Sequence, residues 1–211
     1  MNSHNAFERS LRQQLRQLRR TLPPPQRAKL EQALCRRLWH YPPLRYSQRI
    51  ALYLANDGEP ALTSLIEQLW QHGKELYLPH LYPLPHRCQL GFSRFTPQTR
   101  LQPNRFGILE PCHIDLPHRR EQLRLDLVLM PLVGFHPKGT RLGMGKGYYD
   151  RTFSYRARQS ALGRPKLIGV AFEFQKVAQL PRREWDIPAD TIITDSHCYH
   201  SSPPTPPPRG G

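Results

Sequence analysis

The chain has 211 residues, and 31 Lys and Arg against 16 Asp and Glu give it a formal charge of +15 at pH 7. Such an excess predicts a polyanionic partner (nucleic acid, a phosphorylated cofactor or an acidic substrate), although an arginine-biased proteome gives the same number. Hydrophobic residues at 38%, grouped in runs of strand length, exclude wholesale disorder. Cys35, Cys88, Cys112 and Cys198 are too scattered for a zinc site or a disulfide framework. No apolar run reaches the roughly 18 residues of a membrane span and the N-terminus has no signal core, so a cytoplasmic protein is expected.

Taken in order, Phe7, Leu11, Leu15, Leu18 and Leu22 recur at helical spacing and predict a helix from Ala6 to about Arg20. An arginine stripe, Arg9, Arg12, Arg16 and Arg19, runs one position away from them. "TLPPPQ" stops that helix, and a second is expected over about Gln26 to His40. "RIALYLA" (Arg49–Ala55) reads as a strand, "PALTSLIEQLWQHG" as a helix ending at Gly73, and "KELYLPH" as a strand. Strand, helix and strand within about 30 residues form a βαβ unit with parallel pairing. "LGFSRF" and "GILEP" are short strands. "LRLDLVLMPLVGF" is the most apolar segment, a core strand covered on both faces. "YYDRTFSYRARQ" is expected to be helical, "KLIGVAFEF" and "TIIT" to be strands. The expected fold class is α/β, a single three-layer domain over residues 1–200 with a mostly parallel sheet between helices. Residues 201–211, "SPPTPPPRGG" after Ser201, are expected to be a disordered proline-rich tail.

The stretch "RLGMGKGYYD" (Arg141–Asp150) lies between the buried strand and the helix expected from Tyr148. Ligands of open α/β sheets sit in such strand-to-helix loops. Free N–H groups at a helix start and close backbone approach at glycines suit phosphate. Lys146 and Arg141 add charge-assisted contacts, and the Asp150 carboxylate is suited to hold magnesium. The loop is not a Walker A loop, because the first glycine would fall on Thr140 and Gly147 follows the lysine. Nor is it Gly-x-Gly-x-x-Gly, because Gly143 and Gly145 are followed three residues on by Tyr148.

"LDLVLMPLVGFHPKGTRLGMGKGYYDR", "LPRREWDIPADTIIT" and "GEPALTSLIEQLWQHGKELYLP" closely resemble the 5-formyltetrahydrofolate cyclo-ligase (5,10-methenyltetrahydrofolate synthetase) family, from about Arg9 to Ser196. The resemblance implies closure of 5-formyltetrahydrofolate to 5,10-methenyltetrahydrofolate with ATP and Mg2+, releasing ADP and phosphate. It implies ATP contacts from Arg12, Arg141, Gly143, Met144, Gly145, Lys146, Gly147, Tyr148 and Tyr149. It places Lys146, Tyr148 and Arg141 in catalysis, and Leu54, Glu59, Lys146 and Tyr148 against the folate. Asp150 and Asp186 would bind the metal, with Asp190 the alternative to Asp186.

Three departures stand out. Glu8 occupies a position where the family generally carries a cation, so that phosphate contact is either lost or taken over by Arg9. His136 replaces the usual aspartate after "GF" and is expected to be a loop residue. Met144 stands where some relatives carry arginine. Read alone, Glu59 is an ordinary acid at a helix start, Leu54 a core residue and Asp186 a turn carboxylate. A basic RNA-binding protein is the rival reading, but RNP-type, KH-type and zinc-knuckle patterns are missing, and nucleic acid is not an expected partner. An ATP-using ligase or kinase of the same fold is another rival. A monomer is expected, with the positive charge suited to a polyglutamylated folate.

Overall fold

The computed structural model describes residues 2–82, 88–113, 125–157 and 165–201. Among the described residues eleven strands follow in chain order: β1 (Arg49–Ala51), β2 (Glu75–Leu81), β3 (Leu90–Phe95), β4 (Leu101–Pro103), β5 (Leu109–Pro111), β6 (Leu127–Pro131), β7 (Gly134–Phe135), β8 (Arg141–Leu142), β9 (Lys166–Val170), β10 (Thr191–Ile193) and β11 (Cys198–His200). The helices are α1 (Asn2–Arg20), α2 (Pro24–Trp39), α3 (Pro42–Tyr46), α4 (Thr63–Gln71) and α5 (Tyr148–Thr152).

Seven strands form one sheet in the order β11-β10-β9-β6-β1-β2-β3, parallel in the middle and antiparallel at both edges. The β1–α4–β2 unit pairs in parallel as the sequence predicts. β4–β5 and β7–β8 are separate two-stranded hairpins.

Alternation along the central strands gives each face of the sheet its own core. Leu127 and Leu129 of β6 join Leu34, Leu38, Leu65 and Leu69 of α2 and α4 on one face. Val128 and Met130 join Phe135 and Phe153 on the other, with Tyr148 and Tyr149 packed against them. Pro79 interrupts β2 without cost, because β1 pairs β2 only as far as Tyr77 and the missing N–H falls beyond that ladder.

Several expected boundaries move. The strand from Arg49 ends at Ala51, although Leu52 still donates to the Tyr77 carbonyl at 3.0 Å; Asp57 and Gly58, at φ 52° and 75°, then reverse the chain. The long apolar strand ends at Pro131, because Leu132 and Val133 leave the sheet and lead into the β7–β8 hairpin. The helix expected over "YYDRTFSYRARQ" stops at Thr152 and becomes a 3-10 turn over Ser154–Ala157; its last two residues lie outside the described ones. The strand expected over "KLIGVAFEF" stops at Val170, and Glu173–Gln175 form a 3-10 turn. α3, β4, β8 and β11 are additions to the predicted elements. On α1, Leu11 and Leu15 pack against Val133 and Leu142, whereas Phe7 and Leu18 remain about half exposed. Of the expected tail, residues 202–211 lie outside the described ones. Among the described residues no helix is long and apolar enough to cross a membrane.

Candidate active site

The glycine-rich segment leaves the β7–β8 hairpin. His136 makes this hairpin's turn, donating its N–H to the Thr140 carbonyl at 2.9 Å and accepting from the Lys138 N–H at its Nδ1 at 3.2 Å. It is the loop residue the sequence predicts. Gly145 and Gly147 then take φ 88° and 62°, in the left-handed region where a side chain would be strained. With only five residues, α5 is too short for its dipole to be the main attraction for an anion, contrary to the expectation from a longer helix. The positive charge of the cleft comes chiefly from side chains. Arg141 is nearly buried; its Nε donates to the Ile187 carbonyl at 2.9 Å and its NH2 to Asp150 Oδ1 at 2.6 Å. The same Asp150 oxygen accepts from the Ile187 N–H at 3.1 Å, joining the glycine loop to the "EWDIP" segment.

α1 forms the facing wall. Its Arg9, Arg12, Arg16 and Arg20 line a cleft of about 1240 Å³, opposite Arg141, Lys146 and the loop glycines. The residues follow i, i+3 and i+4 spacing, so they share one helix face. The sequence stripe named Arg19 in place of Arg20, and here the structure corrects it. Arg19 is fully buried, donating to the Asp57 carbonyl (2.7 Å), the Asp57 carboxylate (2.8 Å) and the Leu132 carbonyl (3.2 Å). Arg12 donates from Nε to the Gly143 carbonyl at 2.9 Å. Glu8 is not an unpaired carboxylate. It is buried between Arg12, at 2.8 Å, and Arg183, at 3.1 Å from each carboxylate oxygen. Trp185, 66% exposed, lies on the same cleft wall with the Arg183 guanidinium 5.9 Å from its ring.

A second cavity, of about 570 Å³, opens on the other side of the loop. Leu54, Glu59, Tyr148 and Tyr149 line it, so both tyrosines stand on this side and not in the larger cleft. Glu59 accepts from the Asn56 N–H at 3.1 Å and lies 3.7 Å from the Arg19 guanidinium. Burial pushes its carboxyl up to about 7, against the opposing pull of Arg19 and the Asn56 N–H. Tyr149 is raised well above the ordinary phenol range, by burial first and by Glu59 second. The Tyr148 hydroxyl accepts from Arg105 NH2 at 2.8 Å, and Phe106 meets the Tyr148 ring edge-on at 6.2 Å.

The two cavities meet. Arg16, Arg20, Arg141, Lys146 and Asp150 line both. Asp57 underlies this seam, with its carboxylate held by Arg16 (2.7 Å), Arg19 and Arg20. Burial alone would raise its carboxyl, but the three guanidinium bonds outweigh it and hold it at about 2. Asp150 and Asp186 line the larger cleft, whereas Asp190 lies away from both cavities and is held by Arg156 at 2.9 and 3.0 Å. Among the described residues no cluster of three or more His, Cys, Asp or Glu side chains could by itself enclose a metal ion. One or two carboxylates beside a cationic cleft fit a magnesium ion that brings its other oxygen ligands with it, not a self-contained metal cage.

The comparisons with known proteins bear on family and fold. Residues 4–195 match the model of the 5-formyltetrahydrofolate cyclo-ligase family. The 5-formyltetrahydrofolate cyclo-ligase of Escherichia coli K12 is 40% identical over 88% of this chain and 98% of its own length. That of Haemophilus influenzae is 36% identical, covering 87% and 95%. The solution structure of Aquifex aeolicus 5,10-methenyltetrahydrofolate synthetase superposes with a TM-score of 0.73 at 30% identity, over 92% of both chains. The Mycoplasma pneumoniae synthetase gives 0.66 at 27% identity, covering 89% of this chain and 98% of its own. By extent of match and by shared fold, this chain belongs to the 5-formyltetrahydrofolate cyclo-ligase family.

Proposed function

We propose that this enzyme uses Mg-ATP to close 5-formyltetrahydrofolate to 5,10-methenyltetrahydrofolate, releasing ADP and phosphate. The observation that carries the reading is the meeting of a cationic cleft with a more enclosed aromatic cavity along a wall that holds Lys146 and Arg141. ATP would lie in the larger cleft, its phosphates against the glycine loop, Arg12 and Arg141. The folate would lie in the smaller cavity, its pterin edge donating to Glu59 and its ring between Leu54 and Tyr148. The α1 arginines converge on a cleft wall, which suits a compact polyphosphate better than an RNA strand.

A formamide oxygen is a poor leaving group until it is phosphorylated. In the first step that oxygen attacks the γ-phosphorus; the bond to the β-bridging oxygen breaks, and its electron pair leaves with ADP. N10 then attacks the formyl carbon, the C–O bond breaks with its electrons going to phosphate, and the N10 proton is lost. No protein nucleophile is needed. The chain's part is to align the two substrates and to neutralise charge on the transferring group, the office of Lys146 and Arg141 at the seam. Magnesium held by Asp150 and Asp186 would neutralise phosphate charge. Absorbance at the methenyl-folate band after mixing protein, 5-formyltetrahydrofolate and Mg-ATP tests the reaction. Growth that requires ATP supports it, and a flat trace from folded, ATP-binding protein refutes it.

Two expected results test the residue roles. Glu59 must be ionised to accept two pterin N–H bonds. With its carboxyl at about 7 in the free protein, the KM for folate should rise as pH falls below 7 and level off above it. Glu59→Gln should raise that KM, flatten its pH dependence and leave the KM for ATP unchanged; a persisting acid limb would remove Glu59 from the pterin site. Asp150→Asn should shift the magnesium titration to higher concentration. An unshifted titration would take Asp150 out of the metal site.

A further inference from the structure

We infer that Arg16 is a further catalytic residue of this reaction, presenting its guanidinium to the transferring phosphoryl group at the seam, and that Asp57 is the residue that positions it. The inference rests on the reaction proposed above. The transferring group must pass from the larger cleft to the smaller cavity, so it is met by side chains that line both. The cations in that position are Arg16, Arg20, Arg141 and Lys146.

Their hydrogen bonds separate them. Arg141 spends Nε on the Ile187 carbonyl and NH2 on Asp150. Arg20 turns both Nε and NH2 to the Asp57 carboxylate and is half exposed. Arg16 uses only Nε, bound to Asp57 Oδ2 at 2.7 Å, and its two terminal nitrogens make no hydrogen bond among the described residues. The guanidinium is thus fixed at one edge with its donor fork open toward the seam, one helical turn beyond Arg12 and its bond to the glycine loop. A planar fork held this way matches three equatorial phosphoryl oxygens as charge spreads onto them. Asp57 is itself over-determined: three arginines hold its carboxylate, and its backbone sits at φ 52° two residues before Glu59. Arg16 stays charged throughout and exchanges no proton.

The test is steady-state kinetics by methenyl absorbance, together with trapping by MgADP and aluminium fluoride in the presence of 5-formyltetrahydrofolate. Arg16→Ala should lower kcat on the order of 10²–10³-fold while the KM for each substrate stays within about threefold. MgADP alone should bind as in the unaltered protein, but the fluoride-dependent tightening should be lost. Arg16→Lys, which keeps charge without the fork, should fall between the two and gives the same reading if the alanine variant folds poorly. Asp57→Asn should lower kcat less, and its effect should vanish in the Arg16→Ala background if it acts through Arg16. A kcat within about threefold of the unaltered protein, or a loss confined to the KM for ATP, would overturn the assignment. Failure of the unaltered protein to form the methenyl product refutes instead the reaction on which it rests.

Discussion

Replacing Lys146 by alanine is expected to lower kcat by about 10²–10³-fold, the usual cost of losing one preorganised group that stabilises developing charge. The Lys146 ammonium lies on the wall common to both cavities. Among the described residues it makes no hydrogen bond and no ion pair, so its charge is uncommitted to the fold. Its backbone, by contrast, is held: Arg151 donates to its carbonyl, and left-handed glycines flank it on both sides. The side chain can therefore be removed without loosening the loop. Melting temperature should stay close to that of the unaltered protein while turnover collapses, and the two measurements together separate catalysis from folding. Near-normal kcat in a folded Lys146→Ala variant would sink the assignment.

Arg19→Met is expected to cost stability, by about 3–5 kcal/mol, the range found when one partner of a buried pair is removed. Arg19 has no exposed surface, and it ties α1 to the Asp57 turn and to the Leu132 carbonyl beyond β6. Methionine fills part of the volume but returns none of these bonds. Chemical denaturation measures the loss; a variant as stable as the parent would show that Arg16 and Arg20 suffice to hold Asp57. The same network sets an acid limit. With the Asp57 carboxyl at about 2, below its ordinary 3.8, its ion pairs contribute stability that is complete above pH 3.8 and lost as pH falls toward 2. Activity should move as well. Without Arg19, which draws the Glu59 carboxyl downward, the acid limb of folate binding should shift to higher pH.

Elements whose signal is local were legible in the sequence: the β1–α4–β2 unit, the buried β6 and the glycine loop after it. Elements defined by tertiary contact were not. Leu132 and Val133 continue an apolar run, yet the strand ends before them because their carbonyls accept from Arg19 and Gln175, and no spacing in the run records that. The helix from Tyr148 carries a helical pattern but ends after five residues, where Phe153 turns into the core. At the site, the loop and Glu59 were found through motif and resemblance. Arg16 and Arg20 went unassigned because adjacent arginines on one helix look alike until burial distinguishes them, and Asp57 and Arg183 because their partners lie far away in the sequence. Arg19 and Arg20 differ by one position and about 100° of helix rotation, enough to place one in the core and the other on the cleft wall. Glu8 looked like a misplaced charge for the same reason, since Arg183, its second partner, lies 175 positions away.

β11 has a practical consequence. Its three residues cover the outer edge of β10, whose Thr191, Ile192 and Ile193 are all buried. An uncovered edge of β-branched residues is a template for another chain, and neither a charge nor a proline interrupts this one. Cys198–His200 thus keep that edge covered, and a truncated chain or a fusion joint is better placed beyond His200 than before Cys198.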